Sequence, residues 1–145
     1  MKKLIILLTL ALALTGCPII VPFVDSYHES GHSSSSRQEL LDQRLRIFFN
    51  VLSDRHNPNF TKYLNSENKR EVLNSLRAIR KDTNIVDAEI EFIDYDEKFR
   101  VAEVEILMKR YKTPYYIVND VPVTMIWKFV GSSSGWRLSY IQENK

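Results

Sequence analysis

The sequence predicts an α+β fold in which two N-terminal helices pack on a curved antiparallel sheet of about four strands. Apolar residues recur at helical spacing between residues 41 and 79, and at every second position after Asn84. Short segments rich in Gly, Ser, Asn, Asp or Pro separate these runs and mark the turns. Because the helical runs precede the strand runs instead of alternating with them, the pattern is typical of the α+β class.

The first helix is predicted to begin at Ser36 and to end before Pro58. Residues 36–39, S-R-Q-E, fit the S-x-x-E capping box. Proline disfavours a helical conformation in the residue before it, so the helix should end in the segment D-R-H-N-P. Residues 60–64, F-T-K-Y-L, are expected to pack as one further turn of helix. The inner stripe of the first helix is Leu41, Leu45, Phe48 and Leu52.

The second helix is predicted to be capped by Ser66 and to carry many cations on its outer side. These cations either form a basic patch for an anionic lipid or a partner, or they are an ordinary solvated face, which is the interpretation we favour. The expected inner stripe is Val72, Leu73, Leu76 and Ile79.

Four strands follow, each with apolar residues at alternate positions. The turns between them are expected at residues 94–98 and 131–135, D-Y-D-E-K and G-S-S-S-G. The predicted inward positions are Val86, Ala88, Ile90 and Phe92, then Ala102, Val104, Ile106 and Met108, then Val123, Met125, Trp127 and Phe129, and finally Trp136, Leu138 and Tyr140.

The first two strands carry acidic residues at the alternate positions, which predicts an acidic outer face. Like charges on neighbouring strands destabilise a sheet unless cations lie between them. We favour neutralisation by cations of later strands, and the alternative is that the acidic face recognises a basic partner. The candidate neutralising residues are Lys109, Lys112, Lys128 and Arg137.

Residues 110–119, R-Y-K-T-P-Y-Y-I-V-N, do not fit the alternation. Tyrosine and arginine are enriched at protein interfaces. As the tip of a long hairpin, Tyr111, Tyr115 and Tyr116 would contact a partner or a membrane, whereas as a strand they would simply pack. The sequence leaves both alternatives open.

The N-terminus has the pattern of an export signal that ends in a lipid anchor. Lys2 and Lys3 precede an apolar run of about 11 residues, which is too short to cross a bilayer. The run ends in L-T-G-C, which resembles the lipobox of bacterial lipoproteins. The resemblance implies diacylglycerol on the thiol of Cys17, cleavage just before it, and acylation of the new N-terminus by a fatty acid such as palmitate. Residues 1–16 are therefore the expected signal peptide, 17–36 the lipidated N-terminus and tether, and 37–145 a single domain.

His28, Glu29 and His32 match H-E-x-x-H, the motif of zinc metalloproteases. Such a site needs a regular buried helix and a third ligand. Here serines and a glycine surround the motif, and the only other histidine is His56, in a different predicted loop. We interpret the match as accidental, and we predict neither a metal nor another cofactor.

Charge and cysteine content exclude several classes of protein. The formal net charge is +2 and disappears when Lys2 and Lys3 are removed. A neutral chain lacks the cationic excess of a protein that binds nucleic acid through its phosphates. Because Cys17 is the only cysteine, the chain has neither an internal disulfide framework nor a multi-cysteine zinc site.

The order of elements resembles the nuclear transport factor 2-like superfamily, whose fold is a cone-shaped α+β domain. The resemblance covers residues 37–142 and rests on the closing pattern T-M-I-W-K-F-V-G-S-S-S-G-W-R-L-S-Y-I-Q. It implies a fold that enzymes, pocket binders and protein-interaction modules all use, so the resemblance does not decide the function. Enzymes of that superfamily place a polar catalytic set inside the cone. No catalytic residue is carried over, although Tyr63 or Tyr140 would be placed to line a pocket.

The expected function is therefore a non-enzymatic lipoprotein of the bacterial envelope. Its domain would bind a protein partner or a small apolar ligand while Cys17 holds it on a membrane, facing the periplasm or the cell exterior. One alternative is a small-molecule enzyme or carrier that uses the cone pocket. Another is a subunit of an envelope or secretion assembly.

Overall fold

The computed structural model describes residues 33–54 and 59–144 and confirms the predicted α+β class. Helix α1 spans Ser34–Ser53 and helix α2 spans Lys69–Arg80, with a short 3₁₀ helix at Asn59–Tyr63 between them. The predicted helical turn at residues 60–64 is thus confirmed. All three elements precede the sheet in the chain.

The four strands form one antiparallel sheet in sequence order. They are β1 (Thr83–Tyr95), β2 (Val101–Lys112), β3 (Asn119–Phe129) and β4 (Trp136–Glu143). Each strand pairs with the next, so β1 and β4 are the edges. The chain of residues 64–65 covers part of the β4 edge, where the amide of Asn65 donates to the carbonyl of Leu138 at 2.8 Å.

Helix α1 begins earlier than the sequence predicted. Its N-cap is Ser33, whose hydroxyl accepts a hydrogen bond from the amide of Ser36 at 3.2 Å. The Ser36 hydroxyl donates to the carbonyl of Ser33 at 3.1 Å and is buried. The predicted cap at Ser36 is therefore wrong, because Ser36 lies inside the first turn and the serine run supplies a cap three residues earlier. Residues 34–36, expected in the tether, thus lie in α1.

Helix α2, in contrast, begins later than predicted. Its N-cap residue is Asn68, which makes no side-chain capping bond, so the prediction that Ser66 caps this helix is wrong. The amide oxygen of Asn65 instead accepts from the amide of Glu67 at 3.3 Å, which uses residues 65–67 in a local turn. The predicted inner stripe is confirmed for Val72, Leu76 and Ile79, which are buried in the core.

The core lies between the helices and one face of the sheet, and aromatic rings fill its centre. Phe48 of α1 makes edge-to-face contacts with Trp127 at 5.2 Å and with Tyr63 at 5.9 Å between ring centroids. Such pairs contribute about 0.5–1.5 kcal/mol beyond the burial of their area. The alternation predicted for β2 is confirmed, since its inward residues are fully buried. These are Ala102, Val104, Ile106 and Met108.

Strand β1 departs from its predicted alternation. Val86, Ile90 and Phe92 were expected to face inward but are 55%, 40% and 57% exposed. Irregularities in the pairing of β1 with β2 shift the register twice, and Phe92 consequently lies opposite Glu105 on the outer face. Ile90 does lie opposite the buried Ile106, but its strand is an edge that the helices cover incompletely.

A register shift also changes β4. Tyr140 was predicted to face inward but lies opposite Ile126, while Ile141 lies opposite Met125 and is buried. The Ser139 hydroxyl donates to the carbonyl of Ile126 at 3.1 Å and secures the irregularity. Tyr140 therefore cannot line the interior.

The sheet has two distinct ends. The start of α1 lies at the end formed by the β1–β2 and β3–β4 turns, because Arg37 donates to the carbonyl of Lys98 and accepts from the Trp136 indole, both at 2.8 Å. We call this the tether end. The β2–β3 loop lies at the opposite end of β2, which has 12 residues. At about 3.3 Å per residue, the two ends are separated by roughly 35–40 Å.

Candidate interaction surface

The β2–β3 loop presents a group of large side chains to solvent. Tyr115 is 78% exposed, Tyr116 68%, Ile117 65% and Val118 52%. We call these four residues the aromatic tip. Of the two alternatives for this segment, the structure thus has the first, the tip of a hairpin. The side chains of the segment do not pack as a strand. Burying a cluster of this kind against a partner removes apolar area from water, which is favourable at about 25 cal/mol per Å².

The backbone of the loop is held by local hydrogen bonds. The amide of Tyr115 donates to the carbonyl of Lys112 at 3.0 Å, and the Asn119 side chain donates to the carbonyl of Ile117 at 3.1 Å. Tyr116 has a φ of 49°, an unusual conformation for a residue with a bulky side chain. Its ring lies against that of Tyr111, with centroids 5.3 Å apart. The tip therefore has a defined shape before any partner binds.

A cleft of about 400 Å³ lies beside the tip. Arg110 lines the cleft, and its guanidinium makes a two-point contact with the Glu143 carboxylate, in which Nη2 lies 2.9 Å from Oε2. Because Glu143 compensates the charge of Arg110, the cleft can accept an apolar group without an uncompensated cation beside it. The lining residues are Thr83, Arg110, Tyr111, Lys112, Tyr115, Ile117, Asn119 and Val121.

The described core is mostly apolar. Its buried polar side chains are Ser36, Asn65, Thr83 and Ser139. One buried polar atom, Nε1 of Trp127, has no hydrogen-bond partner among the described residues. Within residues 33–54 and 59–144, no three or more His, Cys, Asp or Glu side chains come together as a metal site.

The candidate residues of the N-terminal segment lie outside the described part of the chain. This applies to Cys17 and to the motif of His28, Glu29 and His32; His56, between α1 and the 3₁₀ helix, also lies outside it. Their roles stay predictions. Among the helices that are described, none has the length and apolar character needed to cross a membrane.

The acidic outer face is neutralised in part, as the sequence analysis favoured. Lys109 pairs with Glu89, and this hydrogen bond raises the pKa of the Lys109 ammonium. Arg137 does not take the neutralising role that was expected of it, because it lies opposite Lys128 and near Arg44.

Sequence reasoning left the tip undecided, although a signal was present. Residues 115–118, Y-Y-I-V, place four large side chains in succession without intervening polar residues. A buried edge strand and an exposed loop give the same pattern, and only the pairing of β2 with β3 decides between them.

Comparisons with known proteins show no family. No protein-family model matches the chain, and no curated protein is similar to it. Among solved structures, the intermembrane space region of the chloroplast protein ARC6 is similar, with a TM-score of 0.46 and 9% identity over 77% of this chain and 95% of that one. A similarity at this level carries no functional conclusion.

Proposed function

We propose that this chain is a membrane-anchored, non-enzymatic lipoprotein of the bacterial envelope whose domain binds a protein partner through the aromatic tip. The observation that supports the proposal is the exposure of four large side chains on a loop of defined shape. The lipobox-like L-T-G-C at Cys17 supports the anchor. Several acyl chains, each stabilised by about 0.8 kcal/mol per buried CH₂, hold a small domain durably on a bilayer.

The position of the tip supports a partner away from the anchoring membrane. A lipidated N-terminus would join the domain at Ser33, which is at the tether end. The tip lies at the other end of the sheet, roughly 35–40 Å away. With the tether end toward the bilayer, the tip faces the surrounding compartment, periplasm or cell exterior.

The composition of the tip favours a protein over other partners. Tyrosine gives a large contact area at a low cost in conformational entropy and is frequent among the residues that dominate interface energetics. The neighbouring cleft would receive a side chain of the partner. A stoichiometric partner of this kind would also fit the alternative of a subunit in an envelope or secretion assembly.

A second candidate is a small apolar ligand held in the cleft. The volume of about 400 Å³ lies within the range of small-molecule sites, and aromatic side chains form part of its lining. The related alternative of an enzyme or carrier with a pocket inside the cone finds less support, because Trp127, Tyr63 and Phe48 occupy the described interior.

The anchor is tested by replacing Cys17 with Ala. The variant should leave the membrane fraction and appear in the soluble fraction after a high-salt wash, because its acyl chains are missing. A variant that stays in the washed membranes would contradict the anchor.

The tip is tested by copurification from solubilised membranes. The double variant Tyr115→Ser, Tyr116→Ser should lose a stoichiometric partner that the wild-type protein retains. Phe92→Ser is the matched control, since it removes an aromatic side chain of similar exposure from β1. Equal recovery of the partner by the tip variant and the control would contradict the proposal. Recovery of an apolar small molecule instead would favour the second candidate.

A further inference from the structure

Three cations from different parts of the chain converge at the tether end. The Arg44 guanidinium of α1 lies 5.6 Å from the centroid of the Tyr63 ring, and the Lys62 ammonium lies 5.0 Å from the same centroid. Arg137 of β4 is near enough to Arg44 for the two charges to affect each other. We call Arg44, Lys62 and Arg137 the basic corner.

At Gly135, in the turn before β4, the Arg44 guanidinium comes close to the backbone. It has a φ of 63°, and a Cβ placed on it would lie 3.0 Å from Nη2 of Arg44. A side chain at this position would therefore push the guanidinium away, besides adopting a conformation that L-residues rarely take. Arg137 follows only two residues later, so the glycine helps bring the two arginines together.

Among the described residues, no acidic side chain forms an ion pair with the basic corner. The ion pairs among the described residues join Lys109 to Glu89 and Arg110 to Glu143, and neither lies at the corner. Arg137 also lies directly opposite Lys128 on β3, an unfavourable arrangement of like charges. Burial and the neighbouring Arg44 lower the pKa of Arg137 below its ordinary value. The folded domain thus holds these cations together at a cost.

We propose that the basic corner binds an oxyanion of the phosphate class. Two guanidinium groups and an ammonium supply charge-assisted hydrogen bonds that match phosphate oxygens, and the anion supplies the missing negative charge. The ring of Tyr63, 1% exposed, lies next to Arg44 and Lys62, and its apolar surface excludes water and so strengthens electrostatic attraction.

Two sources would supply such an anion, namely the phosphodiester of an anionic phospholipid and a soluble phosphate compound. The basic corner is at the end of the domain where the tether joins, because Arg137 pairs with Lys128 next to Val101 at the start of β2. A lipid anchor would bring this end close to a bilayer. Only the lipid source depends on the proposed anchor, whereas the anion site itself does not.

The experiment is an NMR titration of the full chain in non-ionic detergent micelles with inorganic phosphate at low ionic strength. The amide signals of Gly135 and Arg137 should shift in a saturable way. Arg137→Gln should weaken binding about tenfold, the effect of losing one charge-assisted hydrogen bond. Lys62→Gln, a second variant, removes an exposed side chain of the corner and should likewise weaken binding. Arg46→Gln is the matched control, because it removes an exposed arginine of α1 outside the corner.

Thermal unfolding separates binding from a structural role. Without phosphate, Arg137→Gln should unfold at the same or a higher temperature than wild type, because it removes a repulsive charge. With phosphate, the wild-type protein should gain stability and the variant should not. Absence of saturable shifts at Gly135 and Arg137, or equal phosphate affinities of Arg137→Gln and Arg46→Gln, would overturn the proposal.

The source of the anion is assigned by repeating the NMR titration in the same micelles doped with phosphatidylglycerol or with phosphatidylcholine. Shifts at the corner that appear with phosphatidylglycerol at lower concentration than with inorganic phosphate, and not with phosphatidylcholine, support a lipid headgroup. Tighter binding of inorganic phosphate supports a soluble compound.

Discussion

The substitution Glu143→Gln should destabilise the domain because it breaks the ion pair with Arg110, which lines the cleft. Arg110 makes two contacts with the Glu143 carboxylate and one, at 3.3 Å, with the carbonyl of Ile79 at the end of α2. The two side chains are only 17% and 33% exposed. The pair thus joins β2, β4 and α2 at the end of the sheet that carries the aromatic tip.

The size of the effect follows from this partial burial. At a separation of about 4 Å and an effective dielectric constant of about 20, the attraction between the charges is about 4 kcal/mol. Desolvation of both groups offsets much of it. Removing one charged partner of a hydrogen-bonded pair typically costs about 1.5–3 kcal/mol. We expect a loss of about 2 kcal/mol, equivalent to a midpoint of thermal unfolding roughly 8 °C lower for a domain of this size.

Equilibrium unfolding in urea, followed by far-ultraviolet circular dichroism, measures the loss. Glu91→Gln is the control, because it neutralises an exposed carboxylate on β1. It should change the free energy of unfolding by less than about 0.5 kcal/mol. An equal effect of the two substitutions would show that the ion pair does not stabilise the domain. A double-mutant cycle with Arg110→Met that shows no coupling between residues 110 and 143 would show the same.

Three further predictions concern the cap of α1, the stability of the folded protein at alkaline pH, and the histidine motif. Ser33→Ala should lower the free energy of unfolding by about 1 kcal/mol in the same urea experiment, because α1 loses its cap. Burial and Asp42 raise the pKa of Tyr95 to about 12, from 10.0, so the folded protein keeps a proton that the unfolded chain loses. Stability should therefore fall between pH 10 and pH 12, and less steeply in Tyr95→Phe; identical slopes would contradict this assignment. Replacing His28 and His32 by Ala should leave circular dichroism and membrane fractionation unchanged, and loss of a stoichiometric zinc would reopen the protease interpretation.

The sequence predicted the fold class because most elements repeat a simple pattern. Strand β2 alternates without interruption from Ala102 to Met108, and every inward residue is fully buried. Helix α1 places Leu41, Leu45 and Phe48 at helical spacing, and the structure buries all three. In these elements each side chain faces where the local period directs it.

The predictions failed where the register of neighbouring strands overrides the local pattern. Phe92 follows the alternation of β1 but turns outward after a register shift, and Tyr140 does the same in β4. A single strand contains no information about the pairing that produces such a shift.

The basic corner was beyond prediction for a different reason. Its cations come from α1, the 3₁₀ helix and β4, and their proximity exists only after folding. In the sequence, Arg44 and Lys62 are indistinguishable from ordinary surface residues. The cations that the sequence does group together lie instead on the outer side of α2.

The central claim, that the aromatic tip contacts a protein in the envelope, is tested most directly by photocrosslinking in cells. A photoreactive amino acid is placed at position 116 in one strain and at the exposed position 74 of α2 in another. We expect one dominant protein adduct from position 116 that is missing from position 74. No adduct at position 116, or the same adducts from both positions, would contradict it.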